Sequence, residues 1–292
     1  MNETVTLRVR TSAPADRVRR AFASAEEVST WLAEHATVSE GEFAFWGRHT
    51  PQGDAPRQTL EHRDDRSLRF GWEIGGERTT VSVEWVEEDG LTVVALSQSH
   101  FPGWLAAVGE EDVRGWLYTF WALSLTNLVD HVEGRPLTPK VDYVTADMSG
   151  SVLIAAPPAA VAASLVEPEV YERWFGAKID IEAWVGGRVA MGGLENNPEP
   201  AKVLAYEPGR SMTVDWHGMV STWELEDSAG GTRLTFVQSG FDEGTPPFSA
   251  WAGWLSGVGE LRRFHEVPDW RPIWHRVEVP GLPDGMLAEE RG

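Results

Sequence analysis

The sequence repeats itself once, with a period of about 143 residues. Ala13-Pro14 precedes Trp31 in the first half of the chain, and Ala156-Pro157 precedes Trp174 at the same spacing in the second. A period of this length is typical of a complete globular domain and too long for one unit of a solenoid. We therefore expect two copies of one domain, one after the other.

Further matches between the halves follow in the same order, with small changes of offset. Surface loops tolerate insertions and deletions that the elements between them do not, which accounts for such drift. The matches are Trp72 with Trp216, Gln98-Ser99-His100-Phe101 with Gln238-Ser239-Gly240-Phe241, and Gly115-Trp116-Leu117 with Gly253-Trp254-Leu255.

Length and cysteine content restrict the chemistry. The 292 residues correspond to two domains at roughly 100 to 200 residues each. The absence of cysteine excludes disulfides, thiolate nucleophiles and zinc bound by sulfur. The first residues lack a basic leader followed by an apolar stretch, and Pro157-Pro158 interrupts the apolar run 152–166, so we expect neither a secretory signal nor a membrane span. The sequence is compatible with a cytoplasmic protein.

The charge of the chain argues against a nucleic-acid partner, and its aromatic content indicates what fills its interior. The net charge of −20 is shared by both halves, and such a surface repels phosphate backbones and anionic membranes. We therefore expect no nucleic-acid and no membrane partner. The fifteen tryptophans alternate with Phe and Met along the predicted strands, which indicates large aromatic cores or aromatic-lined cavities.

Each copy has the pattern of an α+β domain. Residues 4–10 alternate polar and apolar side chains, as a strand with one buried face does. Two short helices, a run of antiparallel strands and a long helix over 110–132 are predicted to follow, and the second copy repeats this order. The predicted segments are a first domain at 1–134, a linker at 135–149, a second domain at 150–266 and a Pro-rich tail at 267–292 that forms neither helix nor strand and packs across a domain.

This order of elements is that of the helix-grip fold, in which a curved sheet wraps a long helix. The second copy carries six short motifs in order: Ala156-Pro157-Pro158, Glu167-Pro168-Glu169, Glu207-Pro208-Gly209-Arg210, Gly231-Thr232-Arg233-Leu234, Ser239-Gly240-Phe241 and Gly253-Trp254-Leu255. In these motifs the chain resembles the SRPBCC (START-like, Bet v 1-like) superfamily, in the branch similar to the C-terminal domain of the activator of Hsp90 ATPase. The first copy keeps fewer of these motifs, so the second is our choice for the working site.

The resemblance implies a cavity between sheet and long helix that holds a hydrophobic, aromatic small molecule. Plain core packing remains the alternative for each aromatic side chain there. The candidates in the second copy are Trp184, Met191, Trp216, Trp223, Phe236, Phe241, Trp251 and Trp254. Those in the first copy are Phe45, Trp46, Trp72, Trp85, Phe101, Trp116 and Phe120.

The sequence offers little for catalysis. Asp215 and His217 lie two apart on a predicted strand and could pair on one face, and His100 could lie at the mouth of the first cavity. The closest relatives usually carry His where this chain has Gln98 and Gln238, which removes a titrating group. No metal-ligand spacing or phosphate loop is present, so we expect no cofactor and no metal.

Three functions stay open. The favoured one is non-catalytic binding of a hydrophobic, aromatic small molecule in one or both cavities. The second is an enzyme similar to two-domain polyketide aromatase/cyclases, which also carry tandem helix-grip units. The third is a protein-interaction or chaperone-regulating module, although no separate N-terminal activator segment is visible.

Overall fold

The computed structural model describes residues 3–109 and 112–281, and its architecture is the predicted α+β class. Each copy has a large antiparallel sheet, short helices after its first strand, and a long helix near its end. The first copy contains β1 (Glu3–Thr11), α1 (Ala15–Ala21), α2 (Ala25–Trp31), β2 (His35–Ser39), β3 (Glu42–Trp46), β4 (Gln58–Arg63), β5 (Ser67–Ile74), β6 (Glu77–Glu88), β7 (Leu91–Phe101), α3 (Trp104–Gly109), a 3₁₀ turn (Val113–Trp116) and α4 (Leu117–Val132). The remainder contains β8 (Met148–Ile154), α5 (Pro158–Val166), α6 (Pro168–Phe175), β9 (Ile179–Ile181), β10 (Arg188–Met191), β11 (Ala201–Glu207), β12 (Ser211–Trp216), β13 (Met219–Ser228), β14 (Gly231–Ser239), α7 (Phe248–Glu266) and β15 (Trp274–Glu278).

The two sheets are built on the same plan. The first has the order β15-β1-β7-β6-β5-β4, with β2 and β3 as a separate hairpin, and the second has the order β8-β14-β13-β12-β11-β10-β9. In both, the first strand of the copy pairs with the last, and the strands before it follow as a meander. Opposite residues of antiparallel strands share a face of the sheet. The strand registers therefore place matching residues at equivalent positions in the two sheets.

Local hydrogen bonds recur at matching places. The Trp31 indole donates to the carbonyl of Ala21 at 3.0 Å, and the Trp174 indole donates to the carbonyl of Ser164 at 2.8 Å. These bonds join the end of the second short helix to the end of the first, so the bend between the helices is held in the same way in each copy. Both indoles are buried.

The end of the long helix is also anchored alike. The carboxylate of Glu133, just after α4, accepts the Ser12 backbone N–H at 2.9 Å, and that of Glu266 accepts the Ala155 N–H at 2.9 Å. Ser12 and Ala155 are matching residues at the end of the first strand. The two glutamates therefore mark equivalent points on the helices, 133 positions apart.

One sequence match is corrected by this anchor. Gly115-Trp116-Leu117 and Gly253-Trp254-Leu255 are 138 positions apart, five more than the anchoring glutamates. Gly115 and Trp116 lie in the 3₁₀ turn, whereas Gly253 and Trp254 lie inside α7. The predicted helix over 110–132 likewise begins later, at Leu117, since α3 and the 3₁₀ turn precede it.

Packing divides the described residues into two units. The first consists of 3–145, 247–256 and 273–281, and the second of 146–246 and 257–272. The predicted domain boundaries differ from this division in three places. The first half of α7 and the segment around β15 belong to the first unit, and β8 begins at Met148, inside the predicted linker.

Part of the predicted Pro-rich tail forms a strand, β15, contrary to the prediction that the tail forms neither helix nor strand. Residues 282–292 of that predicted tail lie outside the described residues. Strand β15 pairs antiparallel with β1, with Val277 opposite Leu7, and the Arg10 N–H donates to the Ile273 carbonyl at 2.8 Å. The sequence did not predict this short strand because prolines at 268, 272 and 280 surround it, and proline is disfavoured in strands. Because β1 is otherwise the edge of its sheet, β15 covers backbone groups that would be open to another chain.

None of the helices in residues 3–109 and 112–281 combines the length and the apolar character that crossing a membrane requires.

We predict that ending the chain after Pro272 destabilises the first unit and promotes self-association, because the edge of β1 loses its partner strand. Calorimetry should show a lower melting temperature, and analytical ultracentrifugation should show concentration-dependent oligomers. A chain ending after Gly281 retains β15 and serves as the control. Equal melting temperatures and equal sedimentation of the two chains would contradict the role given to β15.

A second prediction concerns a left-handed residue at the end of the last strand in each copy. His100 has φ +62° and the matching Gly240 has φ +80°, where a Cβ would lie 2.7 Å from the Gly218 carbonyl oxygen. Gly240→Ala should lower the free energy of unfolding by about 1–3 kcal/mol. His100→Gly, which restores the residue best suited to this conformation, should cost less than about 1 kcal/mol in the same urea titration. Equal losses would show that the backbone conformation is not the cause.

Candidate functional site

A buried glutamine lies at the same place in each sheet. Gln98 on β7 is 1% exposed and stands opposite Val81, and Gln238 on β14 is 2% exposed and stands opposite Ser221. Both pairs are related by an offset of 140 positions, so sequence and register agree on their equivalence. An amide needs partners for its oxygen and its NH₂ group when it is buried, and the two copies meet this need differently.

In the first copy the chain itself satisfies the glutamine. The Trp121 indole N–H donates to Gln98 Oε1 at 2.5 Å, and Gln98 Nε2 donates to Thr79 Oγ1 at 2.9 Å. The Thr79 hydroxyl in turn donates to the backbone carbonyl of Trp72 at 3.0 Å. This chain of bonds ties helix α4 to three neighbouring strands.

Aromatic rings close the space around these bonds. The ring centroids of Trp72 and Trp121 are 6.0 Å apart, those of Phe120 and Trp121 4.8 Å, and those of Phe45 and Trp72 5.3 Å, in edge-to-face arrangements. The Trp72 indole N–H lies buried among these rings and has no hydrogen-bond partner within the described residues. The cavity expected in the first copy is thus occupied by its own side chains.

In the second copy the glutamine is only half satisfied. Gln238 Nε2 donates to the Met219 sulfur at 3.4 Å, a weak acceptor. Neither Gln238 Oε1 nor the hydroxyl of Ser221 has a hydrogen-bond partner among the described residues, although both atoms are buried. An unpaired buried polar group costs about 1–3 kcal/mol, so two neighbouring ones need an explanation.

The two copies also differ in access to this end of the sheet. Trp72 and Thr79 are 0% exposed and Phe101 is 1% exposed. Their counterparts Trp216, Met219 and Phe241 are each partly exposed. The end of the sheet that the first copy seals is therefore open in the second, directly beside the unpaired amide oxygen and hydroxyl.

An aromatic stack lies next to the unpaired groups. Trp223 follows Ser221 by two residues on β13, and Phe236 precedes Gln238 by two residues on β14, so all four share the inner face. Their ring centroids are 3.9 Å apart and their planes 25° apart. Val214 and Trp216 lie on the same face of the adjacent strand, which makes the surroundings of the amide largely apolar.

The predicted residues of the second copy do not all meet at this face. Trp216, Trp223 and Phe236 lie on it, Phe241 follows its last strand, and Met191 ends β10. Trp184 lies in the exposed turn between β9 and β10 with 57% of its surface accessible, away from the inner face. Trp251 and Trp254 lie on the half of α7 that belongs to the first unit.

The predicted residues of the first copy separate in a similar way. Phe45, Trp72 and Phe120 meet in the aromatic core, and Trp85 stacks on Phe22 with centroids 5.4 Å apart. The remaining three lie elsewhere: Phe101 in a small cluster with Val5 and Val279, Trp116 stacked on Tyr143, and Trp46 beside His35.

The first unit also has an open groove of about 720 Å³, which is distinct from this core. Charged side chains line it, including Asp16 and Arg19, which bind each other at 2.7 Å, and Trp85 contributes one wall. Because an apolar ligand would remove water from these charged side chains, the groove is a poor match for such a ligand.

The predicted pair of Asp215 and His217 does not form. His217 follows the end of β12 with φ +62°, which ends the strand alternation, and its Nε2 contacts the Glu199 carbonyl oxygen at 2.8 Å. The Asp215 carboxylate accepts the Gly218 N–H at 2.7 Å. His100 Nδ1 contacts the hydroxyl of its neighbour Ser99. Within residues 3–109 and 112–281, no three His, Asp or Glu side chains cluster as metal ligands.

Sequence reasoning missed the residues that distinguish the copies. Trp121, which pairs with Gln98, is one of many aromatic residues in an apolar helix. The exchange of Thr79 for Met219 and of Val81 for Ser221 becomes visible once the offset of 140 is applied along β6 and β13. Aligning the two copies in this way would have identified both positions from the sequence.

Replacing each glutamine tests this difference. Gln98→Leu leaves the Trp121 indole N–H without an acceptor and should lower the free energy of unfolding by about 1–3 kcal/mol. Gln238→Leu removes an acceptor that has no partner and should change the free energy by less than about 0.5 kcal/mol, or increase it. Urea denaturation of both variants in the full chain provides the measurement. A larger loss for Gln238→Leu would mean that its amide is satisfied after all.

The chain was compared with known families and structures. Residues 155–265 match the family model described as Activator of Hsp90 ATPase homolog 1-like protein. Among curated proteins, none matches the chain.

Among solved structures, 66 chains match. The conserved protein of unknown function EF2215 from Enterococcus faecalis is 25% identical, with a TM-score of 0.37, over 43% of this chain and 74% of that one. Protein MLL2253 from Mesorhizobium loti is 26% identical, with a TM-score of 0.34, over 39% and 93%. The Aha1 dimer from Colwellia psychrerythraea is 18% identical, with a TM-score of 0.36, over 41% and 96%. Each likeness spans less than half of this chain.

The matched segment contains nearly all of the second sheet, with Gln238 and Ser221, and most of α7. The family resemblance inferred from the sequence is therefore confirmed for this copy, whose residues 155–265 match the model of the Activator of Hsp90 ATPase homolog 1-like family.

Proposed function

We propose that the second copy binds a small, uncharged aromatic molecule at the inner face of its sheet and does so without catalysis. One observation carries the proposal. The glutamine that the first copy satisfies with its own tryptophan has an unpaired oxygen in the second copy, beside an unpaired serine hydroxyl. A bound molecule would supply the missing partners.

The surroundings favour an apolar aromatic ligand. The stacked rings of Trp223 and Phe236 lie buried next to the amide and make its surroundings aromatic. Aromatic rings pack on such surfaces with about 0.5–1.5 kcal/mol beyond the effect of burial alone. Burial also disfavours the charged form of any ligand that lacks an opposite charge nearby.

Met219 gives the ligand a route to the amide. It lies partly exposed at the open end of the sheet and contacts Gln238 through its sulfur. An unbranched methionine side chain adapts its conformation at low cost, so its movement would uncover Gln238 and Ser221. The first copy has the short, fully buried Thr79 at this position, which cannot act as a cover of this kind.

The proposal excludes acid-base chemistry at this position because the side chain there is an amide. A histidine at this position would exchange protons near neutral pH. The Gln238 amide neither gains nor loses a proton in that range, so it can orient a ligand but cannot serve as a general base.

Binding should raise the melting temperature of the full chain. Naphthalene and fluorene serve as apolar aromatic probes, and cyclohexanol serves as a non-aromatic control. A ligand that binds only the folded state adds about 2.7 kcal/mol at a hundredfold excess over its Kd. Isothermal titration calorimetry should give a saturable signal with one site per chain. If neither probe shifts the melting temperature or produces heat, the proposed function is wrong.

A matched pair of variants locates the site. Ser221→Leu fills the space beside Gln238 and should weaken naphthalene binding at least tenfold, with little loss of stability. Val81→Leu makes the corresponding change in the first copy. It should leave binding unchanged and cost about 1–3 kcal/mol, because that core is already filled. Weaker binding in the Val81→Leu variant would place the ligand in the first copy instead.

A further inference from the structure

The first copy shows which chemical group satisfies the glutamine when its neighbour is apolar. There the oxygen of Gln98 accepts a hydrogen bond from an indole N–H, and the residue opposite is Val81. An indole N–H donates one hydrogen bond and accepts none. A group that only donates is therefore sufficient beside a valine.

In the second copy two neighbouring groups, not one, need a hydrogen-bond partner. Ser221 replaces the valine, is 0% exposed, and carries a hydroxyl without a partner in the described part of the chain. Ser221 and Gln238 are directly opposite each other on β13 and β14, so one group can reach both. To satisfy them it must donate to the amide oxygen and accept from the serine hydroxyl.

Few groups do both. A carbonyl or ether oxygen only accepts, an indole N–H only donates, and a hydroxyl group donates and accepts at the same atom. With the Trp223 and Phe236 rings beside the pair, the rest of the ligand is aromatic. Building on the function proposed above, we propose that the second copy selects hydroxylated aromatic molecules of the phenol class, whose hydroxyl donates to Gln238 Oε1 and accepts from Ser221 Oγ.

A single buried water molecule has the same hydrogen-bonding capacity as a hydroxyl group. It would satisfy both side chains without making the site selective for a ligand. Affinities of matched probes separate the two cases, because a phenol that displaces the water and reproduces its bonds gains affinity over a ligand that cannot.

The experiment compares four bicyclic probes of similar size by isothermal titration calorimetry on the full chain: 2-naphthol, 2-methoxynaphthalene, indole and naphthalene. 2-Naphthol donates and accepts, 2-methoxynaphthalene only accepts, indole only donates, and naphthalene does neither. We expect 2-naphthol to bind about tenfold more tightly than naphthalene, since each hydrogen bond adds roughly 0.5–1.5 kcal/mol. Indole and 2-methoxynaphthalene should fall between them, because each can make only one of the two hydrogen bonds.

Two variants assign the preference to the named atoms. Ser221→Val copies the first copy and should weaken 2-naphthol about three- to tenfold while leaving indole unchanged. Gln238→Met keeps the side-chain length and should weaken both 2-naphthol and indole while leaving naphthalene unchanged. Circular dichroism and melting temperatures confirm that both variants fold, and unchanged naphthalene affinity shows that the site persists.

The outcomes distinguish this inference from the proposed function. If no probe binds, the proposed function itself fails. If all four bind with similar affinity and Ser221→Val has no effect, the copy binds aromatic molecules but the hydroxyl specificity is wrong, as expected where water alone fills the polar pair.

Discussion

The need to satisfy a buried amide is the constraint on which one end of each sheet depends. Gln98 and Gln238 point into apolar surroundings where unpaired polar atoms are costly. In the first copy the need is met by Trp121, which brings α4 against the sheet and completes an aromatic core. In the second copy the same position is left incomplete, and the strand ends beside it are open. A single exchange of partners thus separates a sealed core from a candidate binding site.

The two copies are alike where the fold is built and differ where the ligand is proposed to bind. The first two helices are joined by the same indole bond in each copy, from Trp31 and from Trp174. A glutamate after the long helix or at its end accepts the same N–H in each. The differences lie at the other end of the sheet strands, where the second copy has Met219 and Ser221 in place of Thr79 and Val81. Divergence at that end leaves the bonds that organise the helices untouched.

The sequence predicts this architecture well because its signals are local. Alternation identifies the strands, and the repeat identifies the second copy. It fails where the deciding contacts are distant: Trp121 meets Gln98 across 23 positions, and β15 pairs with β1 across almost the whole chain. The repeated Gly-Trp-Leu tripeptide was misleading because identical letters lie in a 3₁₀ turn in one copy and within a helix in the other. Trp184 was misleading because an aromatic residue just before the Gly186-Gly187 turn carries no sign of which way it faces.

The two unpaired groups of the second copy are costly for the stability of its domain. A domain is stable by only about 5–15 kcal/mol, so two unpaired groups at about 1–3 kcal/mol each are a substantial fraction of the total. Natural selection for stability alone would favour a valine at 221 and a leucine at 238, as the expected neutrality of Gln238→Leu implies. Two polar side chains that stay unpaired at this buried position fit the ligand site proposed above, because a bound ligand would supply their missing partners. Binding of such a ligand should then stabilise the strand ends around Met219.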